Sequence, residues 1–135
     1  MKKLARKFLA VVAALALPVC VAASDVTLSV ESVARTGTTA TYTGSLSISN
    51  TYLFINDGRV FLHVKNTGGS DTVLTIVTQA TSQGYAIGDQ AVTVTATTGD
   101  KFIGPFPASL FNDANEKVSF TLSATTGVTV AVLKL

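Results

Sequence analysis

The chain has 135 residues, of which 47% are hydrophobic and only 13% are charged, and its formal net charge is +2. This length supports one domain rather than two. Cys20 is the only cysteine, which excludes an internal disulfide and a zinc site built from several cysteines.

The first 23 residues have the pattern of an export signal or an anchor. Four basic side chains before residue 8 precede an uncharged apolar run from Phe8 to Ala23, and polar residues begin at Ser24. We favour a hydrophobic helix that is a secretory signal cut near Ala23. A retained membrane or particle anchor and a lipoprotein signal at Cys20 remain alternatives. Cleavage would leave six basic and eight acidic side chains, changing the net charge to −2.

From Ser24 onward, apolar residues recur with period two and Val, Ile and Thr dominate, which is typical of strands. About eight strands spaced by roughly ten residues predict an all-β domain over residues 24–135, a single β-sandwich or jelly roll of antiparallel strands. The predicted strands are 26–31, 52–55, 60–65, 72–81, 91–97, 101–103, 117–124 and 128–133, with a weaker pair at 38–43 and 46–49.

Glycine-containing segments mark the predicted turns. Asp57-Gly58 predicts a hairpin between strands 52–55 and 60–65, and Thr125-Thr126-Gly127 predicts the last hairpin. Gly68-Gly69 lies in another predicted hairpin turn. Residues 108–112 form the one predicted helical turn, and we expect Phe102, Phe106 and Phe111 to close one end of the sandwich.

The sequence offers little for catalysis. His63, the only histidine, shares a predicted strand face with Phe61 and Lys65, and no nucleophile or carboxylate stands near it in a recognisable motif. We therefore expect a histidine on the less buried face of its strand, beside a lysine, and no enzyme activity, with no catalytic residue and no cofactor. Most carboxylates lie at turn positions. A calcium site in the loop 112–116 remains an alternative to this turn role.

Nucleic-acid binding does not fit the charge pattern. Basic residues beyond the leader are single and dispersed, so no patch would attract phosphates, and no glycine-rich phosphate loop occurs. Ser and Thr fill the outward positions of most predicted strands. An exterior with so little charge suits ordered packing against neighbours.

Several motifs together resemble one protein family. Asn56-Asp57-Gly58-Arg59 is followed by Phe61-Leu62-His63-Val64-Lys65-Asn66, and later by Ile103-Gly104-Pro105-Phe106, Phe111-Asn112-Asp113 and a Val-rich end. In this order, from about Val33 to Leu135, they are similar to the small all-β head-decoration, or cement-like, proteins of tailed bacteriophages.

This resemblance implies a jelly-roll-like sandwich that stabilises a virion shell through many copies and catalyses nothing. Its partners would be capsid or lattice subunits and copies of itself, with possible membrane contact through residues 1–23. The alternative is an exported cell-surface or filament subunit, or a secreted ligand-binding module. We expect the contacts to lie in the segment after residue 55 and in the loop 104–115, at Asn56, Asp57, Gly58, Arg59, Gly104, Pro105, Phe106 and Phe111.

Overall fold

The computed structural model describes residues 23–135, and their regular secondary structure consists of β-strands and one short helix. Residues 1–22 of the predicted leader, with Cys20, lie outside the described residues. No helix within 23–135 is long and apolar enough to cross a membrane. The strands are β1 (Asp25–Thr27), β2 (Glu31–Ser32), β3 (Thr51–Ile55), β4 (Val60–Asn66), β5 (Thr72–Ile76), β6 (Thr81–Ser82), β7 (Tyr85–Ala86), β8 (Gln90–Val94), β9 (Gly99–Ile103), β10 (Lys117–Leu122) and β11 (Val128–Lys134), and the helix is α1 (Ala108–Phe111).

The strands form two main sheets and one small hairpin. The five-stranded sheet has the order β1-β3-β10-β5-β8, the four-stranded sheet has the order β2-β11-β4-β9, and β6 pairs with β7. The all-β prediction is confirmed. The prediction of a purely antiparallel sandwich is wrong, because β1 runs parallel to β3 and β2 runs parallel to β11. The long connection between β2 and β3 gives the chain room for the crossover that parallel pairing requires.

The predicted strand 26–31 is divided between the two sheets. β1 ends at Thr27, Leu28 turns into the core, and β2 begins at Glu31 in the other sheet. The weaker pair predicted at 38–43 and 46–49 is also wrong, since only an isolated bridge between Thr43 and Val130 forms there. The period-two alternation therefore predicted which residues are extended, but it did not predict where the extended chain passes from one sheet to the other.

The predicted tight turns are corners between sheets and not hairpins. β3 and β5 belong to the five-stranded sheet whereas β4 between them belongs to the four-stranded sheet, and β10 and β11 are divided in the same way. Gly58 and Gly127 do have the positive φ values expected of turns, 88° and 74°. Turn residues in a sequence indicate only that the chain reverses its direction locally. Such a reversal occurs in a corner between two sheets as well as in a hairpin.

Apolar side chains from both sheets meet in one core. Tyr52 stacks on Phe120 with ring centroids 5.6 Å apart, and Phe54 contacts both Phe120 and Phe106. From the four-stranded sheet, alternate residues of β4 and β11 point into the same space. Fully burying one such side chain contributes about 1.5–3 kcal/mol, so this shared core holds the two sheets together.

Candidate interaction surface

Two segments predicted to make contacts converge on one groove of about 490 Å³. Gly58 and Arg59 come from the corner between β3 and β4, and Gly104 and Pro105 follow β9. β4 is the reason for their proximity, because it pairs antiparallel with β9 on one side and with β11 on the other. The start of β4 therefore lies beside the ends of β9 and β11. The remaining lining residues are Phe61, Phe102 and Leu135.

The groove presents large apolar groups to solvent. Phe102 is 66% exposed and Leu135 is 74% exposed. Pro105, which lies between the end of β9 and the buried Phe106, is also exposed. The expectation that Phe102 helps to close the sandwich is therefore wrong. It lies on the outer face of the four-stranded sheet because it pairs with the outward-facing His63. Contiguous exposed apolar groups of this kind mark interaction sites in soluble proteins.

His63 fixes the ring of Phe102 from below. The two rings are stacked with centroids 4.0 Å apart and planes at 16°, and Phe61 packs at 6.0 Å from Phe102. Nε2 of His63 is hydrogen-bonded to Oδ1 of Asp100 at 2.6 Å, and Nδ1 is hydrogen-bonded to the Tyr42 hydroxyl at 2.7 Å. An exposed ring held by its neighbours loses little conformational entropy when a partner binds.

The prediction that His63 lies on the less buried face of its strand agrees with the structure. His63 does face outward with Phe61 and Lys65, but it is 8% exposed because Tyr42 and Phe102 cover it. Nζ of Lys65 lies 4.5 Å above the Tyr42 ring. Tyr42 comes from the connection between β2 and β3, and no sequence motif indicates that this connection pairs with β11 and brings the Tyr42 ring over His63.

Three of the predicted contact residues are inside the protein. Phe106 and Phe111 belong to the core, and Asn56 is 2% exposed. Nδ2 of Asn56 donates to the Phe106 carbonyl at 2.9 Å and to Oδ1 of Asn112 at 2.7 Å. Nδ2 of Asn112 donates back to the Asn56 carbonyl at 2.8 Å. Because they are buried, these three side chains are not part of the groove surface, and Asn56 ties the corner after β3 to the segment after β9.

Asp57 stands between this groove and a second one of about 480 Å³, which lies beside β1 and β2. Its Oδ2 lies 2.6 Å from Nζ of Lys134 and 3.0 Å from Nη2 of Arg59. The pKa of the Asp57 carboxyl lies well below its usual range, mainly because Lys134 donates a hydrogen bond to it. Partial burial raises this pKa, and the hydrogen bonds from Arg59 lower it further. These pairs fix the corner but are partly exposed, so solvent screens them.

Gly104 allows the close approach that forms one wall of the groove. Its φ is +125°, and a Cβ at this position would lie 3.0 Å from Cα of Phe61. A larger residue would therefore push the 104–105 segment away from β4. This explains why glycine precedes Pro105.

The carboxylates near turns bond mainly to backbone amides. Oδ1 of Asp113 accepts from the amides of Asn115 and Lys117, Asp71 accepts from the Ala96 amide, and Asp89 accepts from the Thr78 amide. Asp100 differs because it lies on β9 and pairs with His63. Across residues 23–135, no three side chains of His, Cys, Asp or Glu come together as a metal ion would require.

Comparisons of this chain with protein-family models, with curated proteins and with solved structures give no match.

Proposed function

We propose that this protein is a non-enzymatic structural subunit that decorates a protein lattice, such as a virion shell, and stabilises it through multiple contacts. The observation that carries the proposal is the groove, where two segments 45 residues apart in sequence form one apolar surface around the exposed ring of Phe102. Burying that surface across a joint between lattice subunits would add contacts that must break before the joint opens.

The groove has the composition of an interface centre. Its aromatic and proline side chains are apolar, and Arg59 stands at its rim with a 63% exposed side chain. Aromatic residues and arginine are enriched where protein partners meet, and a ring whose position is already fixed is an effective anchor. The proposed partners are lattice or capsid subunits that present a complementary apolar group.

We also propose that the fold is a jelly-roll-like variant. Successive main strands alternate between facing sheets, from β3 to β4 to β5 and again from β8 to β11. Alternation of this kind is typical of double-sheet jelly rolls. In this variant the β6–β7 hairpin would stand where a further pair of strands of the four-stranded sheet is expected.

A second candidate is an exported subunit of a surface layer or filament. The basic and then apolar residues 1–23 favour it, since proteins assembled on the outside of a cell need an export signal. The same groove would then bind the neighbouring subunit of the layer. An anchor retained in a particle membrane is the corresponding version of the virion proposal.

Mass spectrometry of density-gradient fractions from the native culture tests the proposal. We expect the chain to sediment in many copies with capsid proteins, and an N-terminus at Met1 would make residues 1–23 an anchor. A Ser24 N-terminus in a soluble or cell-surface fraction, with no particle, would contradict the virion function. Recovery in an ordered surface fraction would favour the second candidate.

A further inference from the structure

The four outer edges of the two sheets differ in their protection. β1 has three residues and β2 has two, and β9 carries Asp100 and Lys101. Short or charged edge strands resist pairing with other chains. β8 differs from these three because it has five residues, Gln90–Val94, and none is charged. It also contains no proline, so nothing in its sequence blocks a further strand.

The pairing of β5 shows which groups of β8 are free. The Val73 carbonyl accepts from the Ser123 amide and the Val77 amide donates to the Ser119 carbonyl, so odd-numbered residues of β5 bond toward β10. Even-numbered residues of β5 therefore bond toward β8, where their register partners are Gln90, Val92 and Val94.

Ala91 and Thr93 consequently direct their amide and carbonyl groups away from β5. Within residues 23–135, β8 has no strand neighbour on that side, and neither amide donates to a loop or side chain. Each of the two residues offers one donor and one acceptor to an incoming strand. The edge is thus a row of four groups ready for antiparallel pairing.

The same hairpin continues into a projecting arm. β5 and β8 extend through residues 77–89 to β6 and β7, and every residue from 81 to 90 is exposed. The arm ends in a two-residue turn at Gln83 and Gly84, whose φ values of 51° and 82° are those of a type I′ hairpin. Tyr85, 78% exposed, and Ile87 are the large apolar groups on this arm.

We propose that β8 pairs antiparallel with β8 of a second copy about a two-fold axis at Val92. In this register Ala91 of each chain lies opposite Thr93 of the other, which forms four backbone hydrogen bonds and joins two five-stranded sheets into one. Val92 faces its own copy in a non-hydrogen-bonded pair. No like charges meet along the strands, and the arm of each copy lies next to the joint with Tyr85 and Ile87 available for contact.

A second copy fits this edge because the edge is complementary to itself. A register centred on Ala91 or on Thr93 would form only one hydrogen-bonded residue pair within β8. The register centred on Val92 forms two such pairs, each between Ala91 of one copy and Thr93 of the other. The interface is small, so we expect a dimer that depends on concentration. The inference goes beyond the proposed lattice function and uses a surface separate from the groove, so either can fail without the other.

Analytical ultracentrifugation of the full chain tests the pairing. We expect a monomer–dimer equilibrium that Thr93→Lys and Thr93→Pro each weaken at least about tenfold, through a charge on the edge or the loss of an edge amide that the fold does not use. Thr36→Lys, an exposed change beside β2, is the matched control and should dimerise like the wild type. A wild-type chain that stays monomeric, or Thr93 variants that dimerise normally, would overturn the proposal.

Cross-linking tests the register itself. In a Cys20→Ser chain, Val92→Cys should give a disulfide-linked dimer on mild oxidation, because the Cα atoms of a non-hydrogen-bonded pair are about 4.5 Å apart, within disulfide range. Thr36→Cys is the control, and its yield should be several-fold lower. No dimer, or equal yields from the two positions, would contradict pairing at Val92.

Discussion

Two aromatic clusters of this protein have opposite environments. The interior cluster consists of Tyr52, Phe54, Phe106, Phe111 and Phe120, packed between the sheets. The outer cluster consists of Tyr42, Phe61, His63 and Phe102 on the outside of the four-stranded sheet.

The difference lies in what each cluster leaves exposed. The interior rings are all buried, whereas the outer cluster buries His63 and leaves Phe102 facing solvent. Phe102 and Phe106 are four residues apart, so residue type and sequence position do not distinguish their roles. Their roles are distinguished by the strand register, which places Phe102 on the outer face, and by the turn at Gly104, after which Phe106 enters the core. Rings that stabilise the fold are thereby separated from the ring we propose for binding.

The largest effect should come from the interior cluster. Phe106→Ala should lower the free energy of unfolding by about 3–5 kcal/mol, because it removes a buried ring and leaves a cavity against Phe54 and Phe111. Chemical denaturation measures the change. The matched variant Phe102→Ala should lose less than about 1 kcal/mol. Equal losses at the two positions would contradict the division between the clusters.

Asn56 ties the corner after β3 to the segment after β9. Asn56→Ala should destabilise the protein by about 1–3 kcal/mol, because the Phe106 carbonyl and the Asn112 side chain lose a buried partner. Asn115→Ala, an exposed change in the neighbouring loop, serves as the control. An Asn56→Ala protein as stable as this control would show that the amide link does not hold the segments together.

The outer cluster should depend on Asp100. Asp100→Asn weakens the hydrogen bond from His63, and we expect a loss of about 0.5–1.5 kcal/mol together with greater mobility of the Phe102 ring. Aromatic side-chain NMR of the Phe102 ring reports that mobility. Asp89→Asn is a suitable control, because Asp89 also accepts one hydrogen bond but lies on the arm. An unchanged ring signal would mean that His63 does not hold Phe102 in place.

The smallest effect concerns the corner at Asp57. Because the pKa of Asp57 is lowered in the folded protein, its pairing with Lys134 and Arg59 adds stability at pH values above 3.8, the ordinary pKa of this carboxyl. This contribution is lost as the pH falls through the lower pKa of the folded protein. The stability difference between the wild type and Asp57→Asn should therefore shrink below about pH 4. Denaturation series at several pH values measure it. A difference that grows in acid would contradict this sign.

Much of the strand pattern was predictable, but the assignment of strands to sheets was not. Alternation located β3, β4, β8, β10 and β11, and the single helical turn was expected where α1 lies. The strand predicted at 72–81 instead ends at Ile76 and continues into the arm. Pairing depends on contacts between distant residues, and local periodicity does not carry that information.

The candidate site was predictable in part. The two loop segments do meet, and Gly58, Arg59, Gly104 and Pro105 line one groove. The exposed Phe102 was missed, although its alternation with Ile103 placed it on the opposite face from the core. The covering role of Tyr42 had no local signal, because it depends on the pairing of the connection before β3 with β11 at Thr43.

The most direct measurement of the central claim is the copy number of the protein on its native particle or surface layer, determined for three variants. We predict that Phe102→Ser lowers the copy number at least about tenfold, as expected for loss of a central aromatic anchor. Ile48→Ser, which removes another exposed side chain outside the groove, should leave it unchanged. Leu135→Ser should lower it to an intermediate level. Normal incorporation of a folded Phe102→Ser protein would contradict the account.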